Sequence, residues 1–313
     1  MKITVIGAGA MGCRFGTAFA DAGAEVWLYD VWADHMNRIA SNGLHVHDGF
    51  GTERYVKMNA TSDIATIPSP DVLVVFTKTI YSEDALKTAK PILGADTVLI
   101  TLQNGLGNIE TMQKICPGQP IIAGVTNYAG DMIGPGEVEL KGSGITKMMA
   151  IDPDAASAAQ IVVALLKQAG HHAELSEDVL KDIWEKVAFN AGMNTVSAVT
   201  GLTVAGMGST EQCRKLLFDI ASEAVAVANA EGVPAEEQHV HDVILSVFDP
   251  KMSGDHKSSM LQDRIAKRQT EIDAICGEVI RRGQLHSIPT PKAESMYALV
   301  NAIQKNYDHI VLN

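Results

Sequence analysis

Apolar residues in the first half of the chain come in short, nearly unbroken runs. Lys2–Ile6 (KITVI), Glu25–Tyr29 (EVWLY), Asp71–Phe76 (DVLVVF), Thr97–Leu102 (TVLITL) and Pro120–Val125 (PIIAGV) each read as a strand. Strands that are apolar on both faces belong in a sheet covered on both sides. The helical stretches between them, beginning with Met11–Ala22, supply the covers. The pattern predicts an α/β region with a mostly parallel sheet. Gly134–Ile151 reads differently, as hairpin strands joined around Lys141-Gly142-Ser143-Gly144, hence as an antiparallel addition to the sheet.

After Ser176 the pattern changes to long helical stretches, and no convincing strand follows. Ser176 suits a helix cap, and Glu177 and Asp178 suit a positive helix start. Long helices are predicted over about Glu177–Val199, Thr210–Glu231 and Ser259–Arg282. The expected organisation is two domains: residues 1–175 α/β and residues 176–313 all-α. A chain of 313 residues has room for both.

Charge narrows the partners. Against 25 Lys and Arg stand 37 Asp and Glu, a formal net charge of −12. An acidic chain without a basic run lacks the surface that displaces counterions from nucleic acid. No run of apolar residues is long enough for a transmembrane helix, so no membrane partner is expected. The four cysteines (Cys13, Cys116, Cys213, Cys276) form no CxxC and no Cys/His ligand spacing, which suits reduced thiols in the cytoplasm. The histidine pairs His45/His47, His171/His172 and His239/His241 have no third ligand at a familiar spacing, so no metal is expected.

Gly7-Ala8-Gly9-Ala10-Met11-Gly12 is a GxGxxG that ends a strand and opens a helix. Gly7 permits the turn, Gly9 lets a pyrophosphate approach the backbone, and Gly12 lets helix and strand pack closely. With Ala10 and Met11 the motif presents unpaired N–H groups and the positive helix end to phosphates. This context makes the α/β domain Rossmann-like and dinucleotide-binding. Asp30 ends the second strand, 18 residues past Gly12. A carboxylate there accepts hydrogen bonds from the adenosine ribose and repels a 2′-phosphate, favouring NAD over NADP. Lys78, just past the third strand, is the residue that keeps NADP open.

Two further clusters carry candidate chemistry. Gln103-Asn104-Gly105 follows the fourth strand, at the sheet edge that faces ligands in open α/β sheets, and is equally an Asn-Gly turn. Lys186, Asn190 and Asn194 are spaced i, i+4, i+8 in a helix whose other residues there are apolar or small. Successive members fall only about 40° apart, so they share one face. Such groups are costly to bury unless they serve each other or a ligand, and a desolvated lysine has a lowered pKa suited to proton transfer. Ser259 with Gln262 fits a capping box, and Glu271 stands about 120° round an ideal helix from Ser259.

Together, GAGAMG, the Thr77-Lys78 pair, Leu102-Gln103-Asn104-Gly105, the Trp184-Glu185-Lys186…Asn190…Asn194 helix and Ser258-Ser259-Met260-Leu261-Gln262-Asp263…Thr270-Glu271-Ile272-Asp273 resemble the ketopantoate reductase family along essentially the whole chain. The resemblance implies a Rossmann-like domain followed by an all-α domain, and reduction of 2-dehydropantoate to (R)-pantoate in pantothenate biosynthesis. It implies Lys186 as general acid, with Asn104 and Glu271 positioning lysine or substrate. It also implies Asn190, Asn194 and Ser259 as holders of the substrate's carboxylate and hydroxyl groups. NADP-dependent members carry a basic residue after the second strand, where this chain has Asp30-Val31-Trp32. A subgroup resembles NAD-dependent D-2-hydroxyacid dehydrogenases of branched or aromatic 2-keto acids, and the acidic residue leans that way. A non-catalytic dinucleotide sensor is the rival from another class; it has no need of a proton donor such as Lys186. The expected partner is a small 2-keto acid, with a homodimer kept open.

Overall fold

The computed structural model describes residues 1–49, 51–249 and 256–310. The chain divides into two compact units, Met1–Gln103 with Asn108–Val179, and Asn104–Gly107 with Leu180–Asn313. No helix among the described residues is long and apolar enough to cross a membrane.

Among the described residues, the first unit holds twelve strands in two sheets. The strands are β1 Lys2–Ile6, β2 Glu25–Tyr29, β3 Leu44–His47, β4 Glu53–Val56, β5 Asn59–Thr61, β6 Val72–Val75, β7 Val98–Thr101, β8 Ile121–Thr126, β9 Ala129–Gly134, β10 Glu137–Lys141, β11 Ile145–Ala150 and β12 His172–Leu175. The large sheet runs β12-β11-β8-β7-β6-β1-β2-β5, and every pairing in it is parallel except β11 with β8. Its helices are α1 Ala10–Asp21, α2 Ala33–Asn42, α3 Ser82–Ala89, α4 Asn108–Ile115 and α5 Ala156–Gln168.

The unbroken apolar runs have the expected cause. Val72 and Val74 of β6 join one hydrophobic cluster, with Phe15 of α1 and Val162 of α5. Leu73 and Val75 join another, with Leu86 of α3 and Met112 of α4. Alternate side chains thus bury on opposite faces.

The expected hairpin around Lys141–Gly144 does not form. β10 pairs instead with β9 in antiparallel fashion and with β3 in parallel, within a second sheet of order β4-β3-β10-β9. β11 leaves for the large sheet, where it is the antiparallel addition. The local turn residues were compatible with a hairpin, but the partners of each strand lie far off in sequence, beyond what a local pattern encodes.

The second unit is helical: α6 Val179–Thr200, α7 Val204–Gly208, α8 Glu211–Ala230, α9 Glu237–Ser246, α10 Ser259–Ile265, α11 Glu278–His286 and α12 Pro291–Gln304. No strand occurs after Leu175 among the described residues. α6 is its central post. Ala191 to Ala198 are all buried, in a core shared with Leu217, Ile220 and Ala224 of α8. The single helix expected over Ser259–Arg282 is instead three pieces: α10, an irregular stretch, and a π-helical turn at Asp273–Gly277 running into α11. Lys267 takes a left-handed conformation (φ 51°) just after α10, which ends that helix. Thr270 is tied to Gln304 of α12 through its N–H at 3.0 Å and its hydroxyl at 2.8 Å, so tertiary bonds hold the non-helical stretch.

Gly12 shows how tightly the first turn is built. A Cβ there would stand 2.0 Å from the Gly7 carbonyl oxygen. Gly12→Ala is therefore expected to destabilise the fold by ~1–3 kcal/mol or more through overpacking, read as a lower urea midpoint at unchanged slope.

Candidate functional site

The GxGxxG turn is bound from several sides. Gly7 has φ 91°, and a Cβ on it would lie 2.4 Å from the Thr77 nitrogen, so β1 and β6 close on it too tightly for any side chain. A Cβ on Gly9, by contrast, would meet nothing within 4 Å. Protein packing does not demand glycine at position 9, and the open space there would let a ligand approach the backbone. Gly9 is also the N-cap of α1, without a side-chain cap and with no acidic residue in the first turn. The N–H groups from Ala10 and Met11 onward are thus presented with the positive end of the helix, as a pyrophosphate requires. The residues present fit a dinucleotide.

Asp30 does more than the sequence suggests. Its Oδ2 accepts the Ala8 N–H at 2.8 Å and its Oδ1 accepts the Trp32 N–H at 3.0 Å. The carboxylate first fixes the turn; each oxygen then has a further lone pair for a ribose hydroxyl. The carbonyl of the same residue, which belongs to the following peptide, is held by His35, which sequence reasoning missed. His35 is fully buried, and its Nδ1 accepts the Gly136 N–H at 2.7 Å. The ring proton is thereby assigned to Nε2, which donates to the Ala8 carbonyl at 2.9 Å. Burial lowers the His35 pKa, keeping this neutral tautomer. Cys13, whose thiol burial pushes well up, adds a 3.2 Å contact to the same carbonyl. No local motif marks His35, because its partners lie 27 and 101 residues away.

Gln103 acts on the neighbouring strand end. Its Nε2 donates to the Thr77 carbonyl at 2.6 Å and to Ser82 Oγ at 2.7 Å, pinning the turn that carries half-buried Lys78. Asn104 belongs to the second unit. Gly105 beside it has φ 88°, and a Cβ there would come within 2.7 Å of Ala274. Leu106 N–H donates to the Ala274 carbonyl at 2.8 Å. The Asn-Gly turn is thus a required backbone turn, and it docks Asn104's segment on the π-helical turn that follows Glu271.

The second unit brings the predicted polar residues together. Asn190 and Asn194 are each 7% exposed, and Asn194 Nδ2 donates to Ser259 Oγ at 3.4 Å. Lys186 lies one turn before Asn190 and is half-buried. Burial lowers its pKa from 10.5 to about 8, and the charge of Glu271 acts in the opposite sense. Residues 85 apart in sequence therefore form an electrostatic pair, which ideal helix geometry did not require. The capping box expected from Ser259 and Gln262 does not form. Ser258 is the cap, its Oγ accepting the Leu261 N–H at 3.2 Å, and Ser259 is the first helical residue, exposed. Glu185, next to Lys186, serves structure: it accepts the Glu236 N–H at 2.9 Å at the start of α9.

A dinucleotide-type turn on a doubly covered sheet, and a desolvated lysine beside a carboxylate and amides in a helical unit, define the class of two-domain nicotinamide oxidoreductases. The chain belongs to the ketopantoate reductase family. The family model "Ketopantoate reductase PanE/ApbA" matches residues 3–153 and its C-terminal counterpart matches residues 178–304. The 2-dehydropantoate 2-reductase of Streptococcus pyogenes serotype M1 is 33% identical over 303 residues, covering 96% of this chain and 97% of that protein. The Lactococcus lactis enzyme of the same name is 31% identical, with the same coverage. Among solved structures, a D-mandelate dehydrogenase with NADH and anilino(oxo)acetate superposes with a TM-score of 0.93 at 31% identity, covering 98% of this chain and 100% of that one. A PanE/ApbA family ketopantoate reductase from Ralstonia eutropha JMP134 gives 0.89 at 30%, covering 99% and 100%.

A lysine whose folded pKa lies below its unfolded value opposes folding at neutral pH, because the ammonium that both states carry there is less well solvated in the folded one. Stability lost in this way is regained as pH rises from about 8 towards 10.5. Lys186→Met is expected to raise stability at pH 7 by up to about 3 kcal/mol, less whatever Glu271 loses as its partner. The gain should shrink as pH rises through that window, as followed by denaturant unfolding at pH 7 and pH 10.

Proposed function

We propose that this protein reduces a 2-keto acid to the 2-hydroxy acid, with the first unit holding the dinucleotide and the polar face of α6 handling the substrate. The observation that carries this reading is Lys186, with its pKa lowered to about 8 beside Glu271 on the helix that also carries buried Asn190 and Asn194. When bound, the reduced nicotinamide supplies the hydride to the keto carbon. Lys186 Nζ donates a proton to the keto oxygen, so full charge never builds up there. Glu271 keeps the ammonium populated and, with Asn104, positions lysine or substrate. Asn190, Asn194 and Ser259 hold the substrate's carboxylate and hydroxyl groups. Gly7, Gly9, Ala10, Met11 and Gly12 receive the phosphates, Asp30 the adenosine ribose, and Lys78 with Asn104 flanks the cofactor.

The first-choice substrate is 2-dehydropantoate, in keeping with the named relatives. A second reading, an NAD-dependent D-2-hydroxyacid dehydrogenase of branched or aromatic keto acids, is favoured by Asp30 and by the likeness to D-mandelate dehydrogenase. The four free thiols suit the cytoplasm. NADH consumption with ketopantoate, benzoylformate and 2-ketoisocaproate decides between the readings. Turnover of none of the three would favour a sensor that binds dinucleotide without chemistry.

Lys186→Ala is expected to lower kcat ~10²–10⁴-fold in single-turnover reduction at saturating NADH, with NADH binding nearly unchanged. In the wild type, kcat for reduction should fall as pH rises past about 8, where the amine loses its proton, and hydroxy-acid oxidation should rise over the same range. A near wild-type rate in the variant would remove the lysine from the mechanism.

Asp30 bears on cofactor choice. The wild type is expected to show kcat/KM about tenfold or more higher with NADH than with NADPH, from repulsion between Asp30 and a 2′-phosphate. Asp30→Ala should narrow the gap, and a basic residue at exposed Val31 should then reverse it. A wild-type preference for NADPH would instead give Lys78 the deciding part.

A further inference from the structure

The four-stranded sheet carries a constellation that the family's reaction does not use. His45 and His47 alternate along β3 and so point to the same face. β4 pairs antiparallel with β3 and sets Glu53 opposite His47; β10 pairs parallel and sets Glu137 opposite His45. Each imidazole thus has one nitrogen towards each carboxylate. On one side, His45 Nε2 lies 3.1 Å from Glu53 Oε2, and His47 Nδ1 lies 3.3 Å from Glu53 Oε1. On the other, His45 Nδ1 and His47 Nε2 stand 3.2 and 2.6 Å from the same oxygen, Glu137 Oε1. One ligand atom from each of His45, His47 and Glu53 falls within a set no wider than 4.8 Å.

We propose that His45, His47 and Glu53 bind a zinc ion that staples β3 to β4, with Glu137 orienting both imidazoles. The distances suit it. Two donors at tetrahedral angles, each about 2.0–2.1 Å from zinc, lie ~3.4 Å apart, close to the nitrogen–oxygen spacings on the Glu53 side. The ligand types suit it as well: two imidazoles and a carboxylate match zinc's borderline softness, whereas magnesium and calcium take all-oxygen shells. Glu137 completes the arrangement. A metal-bound imidazole is neutral and carries its proton on the other nitrogen, and here both other nitrogens face one carboxylate oxygen that can accept both protons. Tyr55 stacks on His45 with 4.5 Å between centroids and 4° between planes, fixing that ring from the side. The histidine side chains are about one-fifth exposed and that of Glu53 is 57% exposed, so an ion has a way in from solvent, and water would be its fourth ligand. The spacing search in the sequence found no third ligand because Glu53 and Glu137 reach the histidines across the sheet, not along a strand.

The test is calorimetric titration of the full-length protein, freed of metal with a chelator, against zinc chloride and separately against magnesium chloride. A saturable isotherm of one zinc per chain, with no magnesium heat, is expected. His45→Ala and His47→Ala should each weaken zinc binding at least tenfold. Glu137→Gln should weaken it ~10–100-fold as an outer-shell change. Glu53→Gln alters an exposed side chain and tests ligation without endangering the fold; it too should weaken binding. His239→Ala, in the other unit, should leave the isotherm unchanged. Failure to saturate, or an isotherm that Glu53→Gln and both histidine variants leave intact, overturns the site and leaves the cluster as a hydrogen-bonded network.

Discussion

Burial of a primary amine on α6 is the constraint from which much of the second unit follows. Water would hold the Lys186 ammonium far better than a helix whose next turns are wholly core. The chain meets that cost with electrostatics: Glu271 bears on the amine, and the pKa settles at about 8. To bring Glu271 there, the backbone abandons regular helix after α10 and resumes it through a π-helical turn. That departure needs its own support, which Thr270 receives from Gln304 and the π-helical turn receives from Leu106. The lysine thus shares its surroundings with a piece of irregular backbone that carries Glu271 and is held by bonds of its own.

In the first unit the corresponding device is one residue, Ala8, held through the two peptide groups that flank it. Its N–H is taken by Asp30, and its carbonyl by His35 and Cys13. With both engaged, the turn is held in one conformation, and the first N–H groups of α1 are presented ready-oriented. Asp30 anchors the turn with one hydrogen bond per oxygen. A substitution at Asp30 consequently touches the shape of the turn, a second effect beside the one on cofactor choice proposed above. Trp32, stacked on His35 at 5.0 Å, belongs to the same assembly.

The residues around each candidate also show how function and packing are divided. In Gln103-Asn104-Gly105, Gln103 pins the Thr77 carbonyl and Gly105 admits a close approach of Ala274. In Trp184-Glu185-Lys186, Trp184 is core and Glu185 accepts the Glu236 N–H at the start of α9. In Ser258-Ser259 the first serine is the cap and the second faces Asn194. Each motif contains residues that serve packing and backbone, and the local pattern alone does not say which they are.

What the sequence by itself determined is whatever local periodicity encodes. Strands apolar on both faces imply a doubly covered parallel sheet, the long helical stretches after Ser176 imply a helical second half, and GxGxxG between a strand and a helix implies a phosphate-binding turn. The i, i+4, i+8 spacing of Lys186, Asn190 and Asn194 placed them on one helix face. What only the tertiary structure decided involves partners distant along the chain. β10 chose β9 and β3 over β11, His35 found Ala8 and Gly136, and Glu271 reached Lys186 after the expected helix was broken. The histidines of β3 acquired carboxylates from two other strands. Each of these joins residues whose separation no local period spans. It is settled by strand pairing and by the need of buried polar groups for partners, and both exist only once the chain is folded.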